Sequence, residues 1–535
     1  MEKEEMNRAE LLSQARAAAK LLAQKSTTPL RGAEACLKLL SDYPVENRLL
    51  CFRESLAALP IEERHYWIGT LYSLMLPTKV RRSQAAYFTP PLVADAIVEF
   101  AIEAGFNIKK DGVLDPAAGG AAFLSTLAGR MTIEGVERED AARRLNGIEI
   151  DRGLACLSHR LIEERLGTNL PQEIIMVGDA LLQPVGAAYD LVIANPPYGR
   201  VSPDEVEGRE WERVSYKGHI NKYALFTEFS FRVAKKGGLV VLVMPSSFRA
   251  GPLYDRMREF IRSQGEILTI ASIQDRDGVF IDVAQDISVL IARKGEPHSA
   301  GSKVRFPVIG SLSPTKSAVE ERLPEVASSA WPFPITDTKA LGGATLTDYG
   351  IEARAGYFVW NRERRRMVKE PGNTTAYPLI WARNVRPGKL CSPAGRNGGP
   401  QDFVTFDTAS TAVVTKPAAV MQRTTNDEQP RRLIVAMVDP SVVSEWQGFV
   451  TENHTIVLTA DDADRLELAV ALLNTAAVDA RYRRVSGTAA VSVSLLRQID
   501  LPQPDSFATA LAESCGDAES AAYKAYLEQP ETADS

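Results

Sequence analysis

Between residues 112 and 292 short apolar runs alternate with helix-length segments, and this alternation constrains the fold of the 535-residue chain more than any other feature. The runs are Gly112-Val113-Leu114, Leu145 to Ile150, Ile174 to Val177, Leu191 to Ala194, Leu239 to Met244, Ile267 to Ser272 and Ile287 to Ala292. Parallel strands need a crossover of about a dozen residues or more, whereas hairpins join antiparallel ones. The spacing therefore predicts an α/β fold built on a doubly wound, mostly parallel open sheet. Ligands of such sheets bind in the crevice outside the carboxyl ends of the strands. The chemistry should be sought there.

The flanking regions differ in character. Residues 1–80 are rich in helix formers with apolar positions at helical spacing, broken at Thr28-Pro29, Tyr43-Pro44, Leu59-Pro60 and Leu76-Pro77. They carry no recognisable chemistry, so packing or partner contact is expected of this N-terminal helical extension. Residues 81–295 form the α/β domain. Residues 296–348, rich in Pro, Ser, Gly and Thr, read as a connector with some structure. Residues 349–504 read as a C-terminal α+β region of short strands and helices. The tail, 505–535, begins helical and ends acidic, and is expected to fray.

Composition excludes several classes. The longest uninterrupted apolar stretch is near Leu239 to Met244, too short to cross a bilayer. The opening Met1-Glu2-Lys3-Glu4-Glu5 has no apolar core for a secretory signal, so a cytoplasmic protein without membrane attachment is expected. Five scattered cysteines with no CxxC pair, and five dispersed histidines, suggest neither a zinc site nor a disulfide framework. No metal site is expected. The net charge is −6, which argues against a strongly basic nucleic-acid coat. Locally the balance reverses: Arg354, Arg362, Arg364, Arg365, Arg366, Lys369, Arg383, Arg386, Lys389 and Arg396 face only Glu352, Glu363 and Glu370 within residues 351–400. This surplus is either a solvated face or a phosphate footprint. A footprint predicts binding that weakens steeply with salt.

Four strand ends carry the candidate site, in order. The first strand leads into Asp115-Pro116-Ala117-Ala118-Gly119-Gly120-Ala121-Ala122, small residues that let backbone amides approach a ligand. The second ends in Gly147-Ile148-Glu149-Ile150-Asp151, where an acid is placed to accept ribose hydroxyls. The third ends in Gly178-Asp179-Ala180, where a carboxylate can accept from an adenine amino group. The fourth ends in Asn195-Pro196-Pro197-Tyr198, which sets a side-chain amide, a rigid turn and a ring in one pocket. Helix-capping acids and a proline turn after a buried strand are the bland readings of these motifs. Together they describe a nucleoside cofactor beside a planar amine.

This order resembles the gamma class of N6-adenine DNA methyltransferases, enzymes of type II restriction–modification systems. The likeness is carried further by Tyr87-Phe88-Thr89-Pro90-Pro91, by Asn221-Lys222-Tyr223-Ala224-Leu225-Phe226 with Gly237-Gly238 and Val243-Met244-Pro245, and by Gly278-Val279-Phe280. Gln422-Arg423-Thr424-Thr425, Glu452-Asn453-His454 and Gly487-Thr488 are similar to the family's target-recognition part. The resemblance implies a Rossmann-like domain using S-adenosyl-L-methionine, with residues 349–504 as the DNA target-recognition domain. It implies double-stranded DNA as substrate, a cognate restriction endonuclease acting on the same site, and a monomer. Asn195 and Pro196 would accept the two amino hydrogens of a flipped adenine, Pro197 would stiffen the turn, and Tyr198 and Phe280 would pack on the base. Glu149 would hold the ribose and Asp179 the adenine amine. Thr89, Asp115 and Gly119 would meet the methionine end, with Ala117, Ala180 and Asn195 completing the cofactor site.

One departure concerns the small-residue loop, where the family's usual pattern is Asp-Pro-Ala-Cys-Gly-Ser-Gly. Here Ala118, Gly120 and Ala121 replace Cys, Ser and the last Gly. If that last position needs a positive φ, the methyl of Ala121 imposes a cost, expected to be modest. The same turn also suits other planar amines. Methylation of a protein glutamine amide or an RNA base, methylation of cytosine N4, and an inactive DNA-binding relative are the competing readings. Arg362, Arg364, Arg365, Arg366, Arg383 and Arg386 are candidates for phosphate contact, and Arg423, Arg431 or Arg432 for base reading.

Overall fold

The computed structural model describes residues 8–77, 80–81, 88–170, 173–184, 186–206, 211–273, 286–310, 318–326, 329–334, 343–368, 376–391, 403–407, 410–424, 431–486 and 490–527. The chain divides into two compact units. The first comprises Met1–Arg249 and Leu253–Trp331, the second Ala250–Pro252 and Pro332–Ser535.

The first unit opens with helices α1 (Arg8–Ala23), α2 (Pro29–Leu37), α3 (Asn47–Ala57) and α4 (Ile61–Met75). Helix α2 begins on Pro29 itself, where proline loses no helical hydrogen bond, and α3 and α4 begin after Pro44 and Pro60. Their apolar faces close on Leu154, Leu157 and Leu161, so the helical region shares a core with the domain that follows. The remaining helices of this unit are α5 (Pro91–Glu103), α6 (Ala122–Ile133), α7 (Arg138–Arg144), α8 (Arg152–Leu166), α9 (Lys222–Val233) and α10 (Asp255–Gln264).

Each of the seven apolar runs is a strand: β1 (Val113–Asp115), β2 (Leu145–Glu149), β3 (Ile175–Val177), β4 (Tyr189–Ala194), β5 (Ala234–Pro245), β6 (Gly265–Ile273) and β7 (Ile287–Lys294). The stretch expected as a connector adds β8 (Lys303–Phe306), β9 (Val308–Ile309) and β10 (Val319–Arg322). The order is β10-β8-β6-β7-β5-β4-β1-β2-β3, with β9 also pairing β6. Strands β1 to β5 pair in parallel, while β7 runs antiparallel between β5 and β6. The central strands are buried on both faces, which explains their continuous apolar runs. From β1 the chain winds outward through β2 and β3, then returns to β4 on the other side. That reversal opens a crevice at the carboxyl ends of β1 and β4.

The second unit is α+β. One antiparallel sheet joins Glu352–Ala355, Thr455–Thr459, Ala418–Gln422 and Val435–Met437, and another is built on Met367–Val368, Phe403–Thr405, Ala376–Ile380 and Val450–Thr451. The described residues of the tail form two helices, Pro504–Glu513 and Ala518–Leu527. Buried Ala521, Ala522 and Tyr526 dock the second of them, and Glu519 accepts from the backbone amides of Ala476 and Ala477. Among the described residues no helix is long and apolar enough to cross a membrane.

Candidate active site

The crevice is an open cleft of about 1140 Å3, the solvent at its mouth included. Thr89, Asp115, Ala117, Gly119, Glu149, Asp179, Ala180, Asn195 and Pro197 all line it. The ends of four strands thus converge on one space, as the topology requires. Pro196 and Tyr198 are not among the lining residues. Phe280, Tyr87, Thr425 and Gly487-Thr488 lie outside the described residues.

The turn from β1 to α6 is held from two sides. The Ala117 amide donates to Asp115 Oδ1 at 3.0 Å, and the Ala118 amide donates to the Ile148 carbonyl at 3.0 Å. The Gly119 amide donates to Glu149 Oε2 at 3.0 Å. A Cβ on Gly120 would meet the Phe88 ring at 3.0 Å, so the ring seals the loop only because glycine stands there. Ala121 has φ 60° and ψ 24°, the left-handed conformation in which glycine is preferred. Its methyl is fully buried in the core, and Ala121 does not line the cleft. The departure from the family pattern therefore strains the backbone and takes no space from a ligand.

Opposing terms fix what replacing it would do. Glycine would relieve about 1–2 kcal/mol of left-handed strain. It would also lose about 0.8 kcal/mol of methyl burial and about 0.5–1 kcal/mol of chain entropy. Ala121→Gly should therefore lie within about 1 kcal/mol of the parent in denaturant unfolding. Ala121→Val, β-branched at positive φ, should cost about 2 kcal/mol or more. A valine variant as stable as the parent would disprove the strain.

Burial dominates the electrostatics of the site. Asp115 is 2% exposed, and burial pushes its carboxyl up to about 8, with Glu149 adding repulsion against the Ala117 amide. Burial likewise pushes Glu149 up to about 7, opposed by the amides of Asp151 and Gly119. Exposed Ile150 sets an apolar side chain beside Glu149 and Asp179, a pairing that suits a purine face with its ribose.

At the fourth strand end the Asn195 amide is oriented from both sides. Its Nδ2 donates to Thr89 Oγ1 at 3.2 Å, and the Tyr198 hydroxyl donates to its Oδ1 at 2.8 Å. The Tyr198 hydroxyl also lies 3.3 Å from the Val243 carbonyl of β5. Burial holds its pKa well above the usual phenol range, so it remains a donor. The ring packs edge-on to Tyr223, 6.2 Å between centroids, and Tyr223 stacks on Tyr254 at 5.7 Å.

Sequence reading passed over several lining residues. Phe88 and Lys222 lie inside motifs quoted for the resemblance, yet neither was given a role, although both line the cleft. In the second unit the positive cluster is partly structural. Arg366 pairs with Glu363 at 2.8 Å and lies over Phe406, Arg383 lies over Trp381, and Arg386 donates to local carbonyls. Arg362, Arg364 and Arg365 are exposed. Arg432 is buried, which removes it as a base reader, and Arg431 pairs with Glu519.

Strand order and cleft define a Rossmann-like α/β domain with its crevice at the carboxyl ends of the parallel strands. Residues 169–280 match the family described as Eco57I restriction-modification methylase. The type II methyltransferase M.TthHB8I of Thermus thermophilus is 29% identical over 199 residues, covering 35% of this chain and 41% of that protein. M.BsuBI of Bacillus subtilis, also a type II methyltransferase, is 22% identical over 487 residues, covering 78% of this chain and 87% of that one. The cryoEM structure of a DrdV–DNA complex shares the fold, with a TM-score of 0.50 and 12% identity over 94% of this chain and 66% of that one. The chain thus spans less than half the length of M.TthHB8I but most of M.BsuBI.

Proposed function

We propose that this chain is a DNA methyltransferase of a restriction–modification system, transferring a methyl group from S-adenosyl-L-methionine to the N6 amine of a flipped-out adenine in duplex DNA. The observation that carries the reading is that Asn195 lines the same cleft as Glu149 and Asp179. The type II methyltransferase relatives support the substrate class and the system.

The residues present fit the cofactor. Glu149, which accepts from the Gly119 and Asp151 amides, would also take the ribose hydroxyls, Ile150 offers an apolar face, and Asp179 would accept from the adenine amine. Thr89, Asp115, Ala117, Gly119 and Ala180 complete the cradle. When bound, the cofactor supplies an electrophilic methyl on a sulfonium.

The protein's task is to make a poorly nucleophilic amine react. An adenine amine delocalises its lone pair into the ring. The Asn195 side-chain carbonyl, oriented by the Tyr198 hydroxyl, would accept one amino hydrogen, and the Pro196 carbonyl would accept the second. Those acceptors gain strength as positive charge builds on nitrogen in the transition state. Rotating the base out of the duplex gives the amine access to this turn. Stacking of Tyr198 and Phe280 on the base would add about 1–3 kcal/mol per base.

The exposed arginines Arg362, Arg364 and Arg365 support residues 349–504, within the second unit, as the region that meets the DNA target. A cytoplasmic monomer with a cognate endonuclease completes the proposal. Incubation with labelled cofactor and duplex DNA, RNA or protein, followed by nucleoside analysis, tests it. N6-methyladenine in DNA is expected. Label confined to protein or RNA rejects the substrate, and N4-methylcytosine rejects the base.

A further inference from the structure

Tyr72 lies in α4, within the region for which the sequence suggested only packing. Its side chain is 2% exposed, and its hydroxyl donates to Asp151 Oδ1 at 2.6 Å. The Asp151 amide in turn donates to Glu149 Oε1 at 2.8 Å. A continuous path of hydrogen bonds therefore runs from the N-terminal helices to the carboxylate assigned to the ribose. Burial and the Asp151 carboxylate hold the phenol's pKa above its ordinary range, so it stays a donor.

The contact is built into the backbone as well. A Cβ at Gly153 would stand 2.3 Å from the Tyr72 hydroxyl and 2.3 Å from the Pro29 carbonyl oxygen. Only glycine lets the first turn of α8 press so closely on α2 and α4. Nearby, the His65 ring of α4 joins Ser125 Oγ of α6 at 2.9 Å and Glu164 of α8 at 3.3 Å. Helix α4 thus grips the starts of both helices that frame the small-residue loop.

A helix cap alone does not require the tyrosine. Asp151 caps α8 by accepting from the Leu154 amide at 2.8 Å, and that bond needs no further donor. What Tyr72 adds is a second anchor on the same oxygen, which fixes residue 151 and so aims its amide at Glu149. We propose that Tyr72 is a positioning residue for nucleoside recognition, acting through Asp151 to hold Glu149 in the orientation that meets the ribose hydroxyls. This rests on the reading of the cleft as a site for S-adenosylmethionine.

Calorimetry with S-adenosylhomocysteine and its 2′,3′-dideoxy counterpart tests it, using the full chain and the variants Tyr72→Phe and Glu149→Gln. Tyr72→Phe keeps the ring and its packing and removes only the donor. It should weaken S-adenosylhomocysteine binding by about three- to tenfold. For the dideoxy compound, which has no hydroxyls for Glu149 to accept, that loss should vanish. Equal losses for both compounds would mean general loosening and overturn the proposal, as would no loss for either. If the parent binds neither compound, or Glu149→Gln binds as the parent does, the cofactor reading itself fails and the proposal falls with it.

Discussion

Asn195→Ala should lower the methylation rate at saturating cofactor by about 10²–10³-fold while leaving the affinity for S-adenosylhomocysteine nearly unchanged. The split follows from what the side chain touches. On the proposed reading its Oδ1 accepts from the substrate amine, and its loss removes stabilisation that grows as charge develops on nitrogen. The carboxylates of Glu149 and Asp179, proposed to hold the cofactor's ribose and adenine, are untouched. The variant should also fold. The Tyr198 hydroxyl keeps the Val243 carbonyl at 3.3 Å, and Thr89 Oγ1 loses the hydrogen bond it accepts from Asn195 Nδ2. Asn195→Asp is a useful companion, because it retains acceptor oxygens but gives up the donor to Thr89. It should retain more activity than alanine. Steady-state rates on methylatable DNA, with calorimetry for the cofactor product, separate the two effects. Full activity in Asn195→Ala would remove the turn from the chemistry. Equal loss of rate and cofactor affinity would make Asn195 a cofactor ligand first.

The strand ends were legible because periodicity and topology act together. Seven apolar runs are seven strands, and a parallel sheet sends alternate chain segments to the same edge. Asp115, Glu149, Asp179 and Asn195 therefore line one cleft although 80 residues separate the first from the last. What stayed hidden is long-range or directional. The Tyr72–Asp151 bond joins residues 79 apart, and no local pattern marks either end of it. The direction of the Tyr198 ring depends on packing against Tyr223, which the tetrapeptide does not encode. The strands at 303–322 are two to four residues long in a stretch rich in turn formers, too short for alternation to register. Counting charges in the second unit registered Arg366 and Arg383 but not the rings beneath them. Ala121 was the opposite case. A condition on φ could be written down from sequence, and the structure supplied both the angle and the direction of the methyl, into the core.

Cofactor affinity should rise with pH toward neutrality and then level off, with Glu149 as the origin. Burial raises its carboxyl to about 7 in the free protein, above the ordinary 4.5. The sign follows from which form each state prefers. The folded protein holds this proton more tightly than the unfolded chain, so the group's contribution to stability is present below about pH 4.5 and is lost as pH rises through 7. Ribose hydroxyls are donors and favour the carboxylate, so binding prefers the ionised form and expels the proton. Between pH 5.5 and 7.5 the affinity for S-adenosylhomocysteine should then increase about 20-fold. Asp115 stands close enough to repel Glu149 and is itself raised to about 8, so the midpoint belongs to the pair rather than to one residue. Calorimetry in buffers of different ionisation enthalpy supplies a second measure, since close to one proton should be released per ligand bound near pH 6. Glu149→Gln cannot ionise. It should bind weakly at every pH and flatten the profile, keeping at most the shallow slope that belongs to Asp115. A parent profile that is flat, or that falls with pH, would mean the carboxylate at 149 does not receive the ribose.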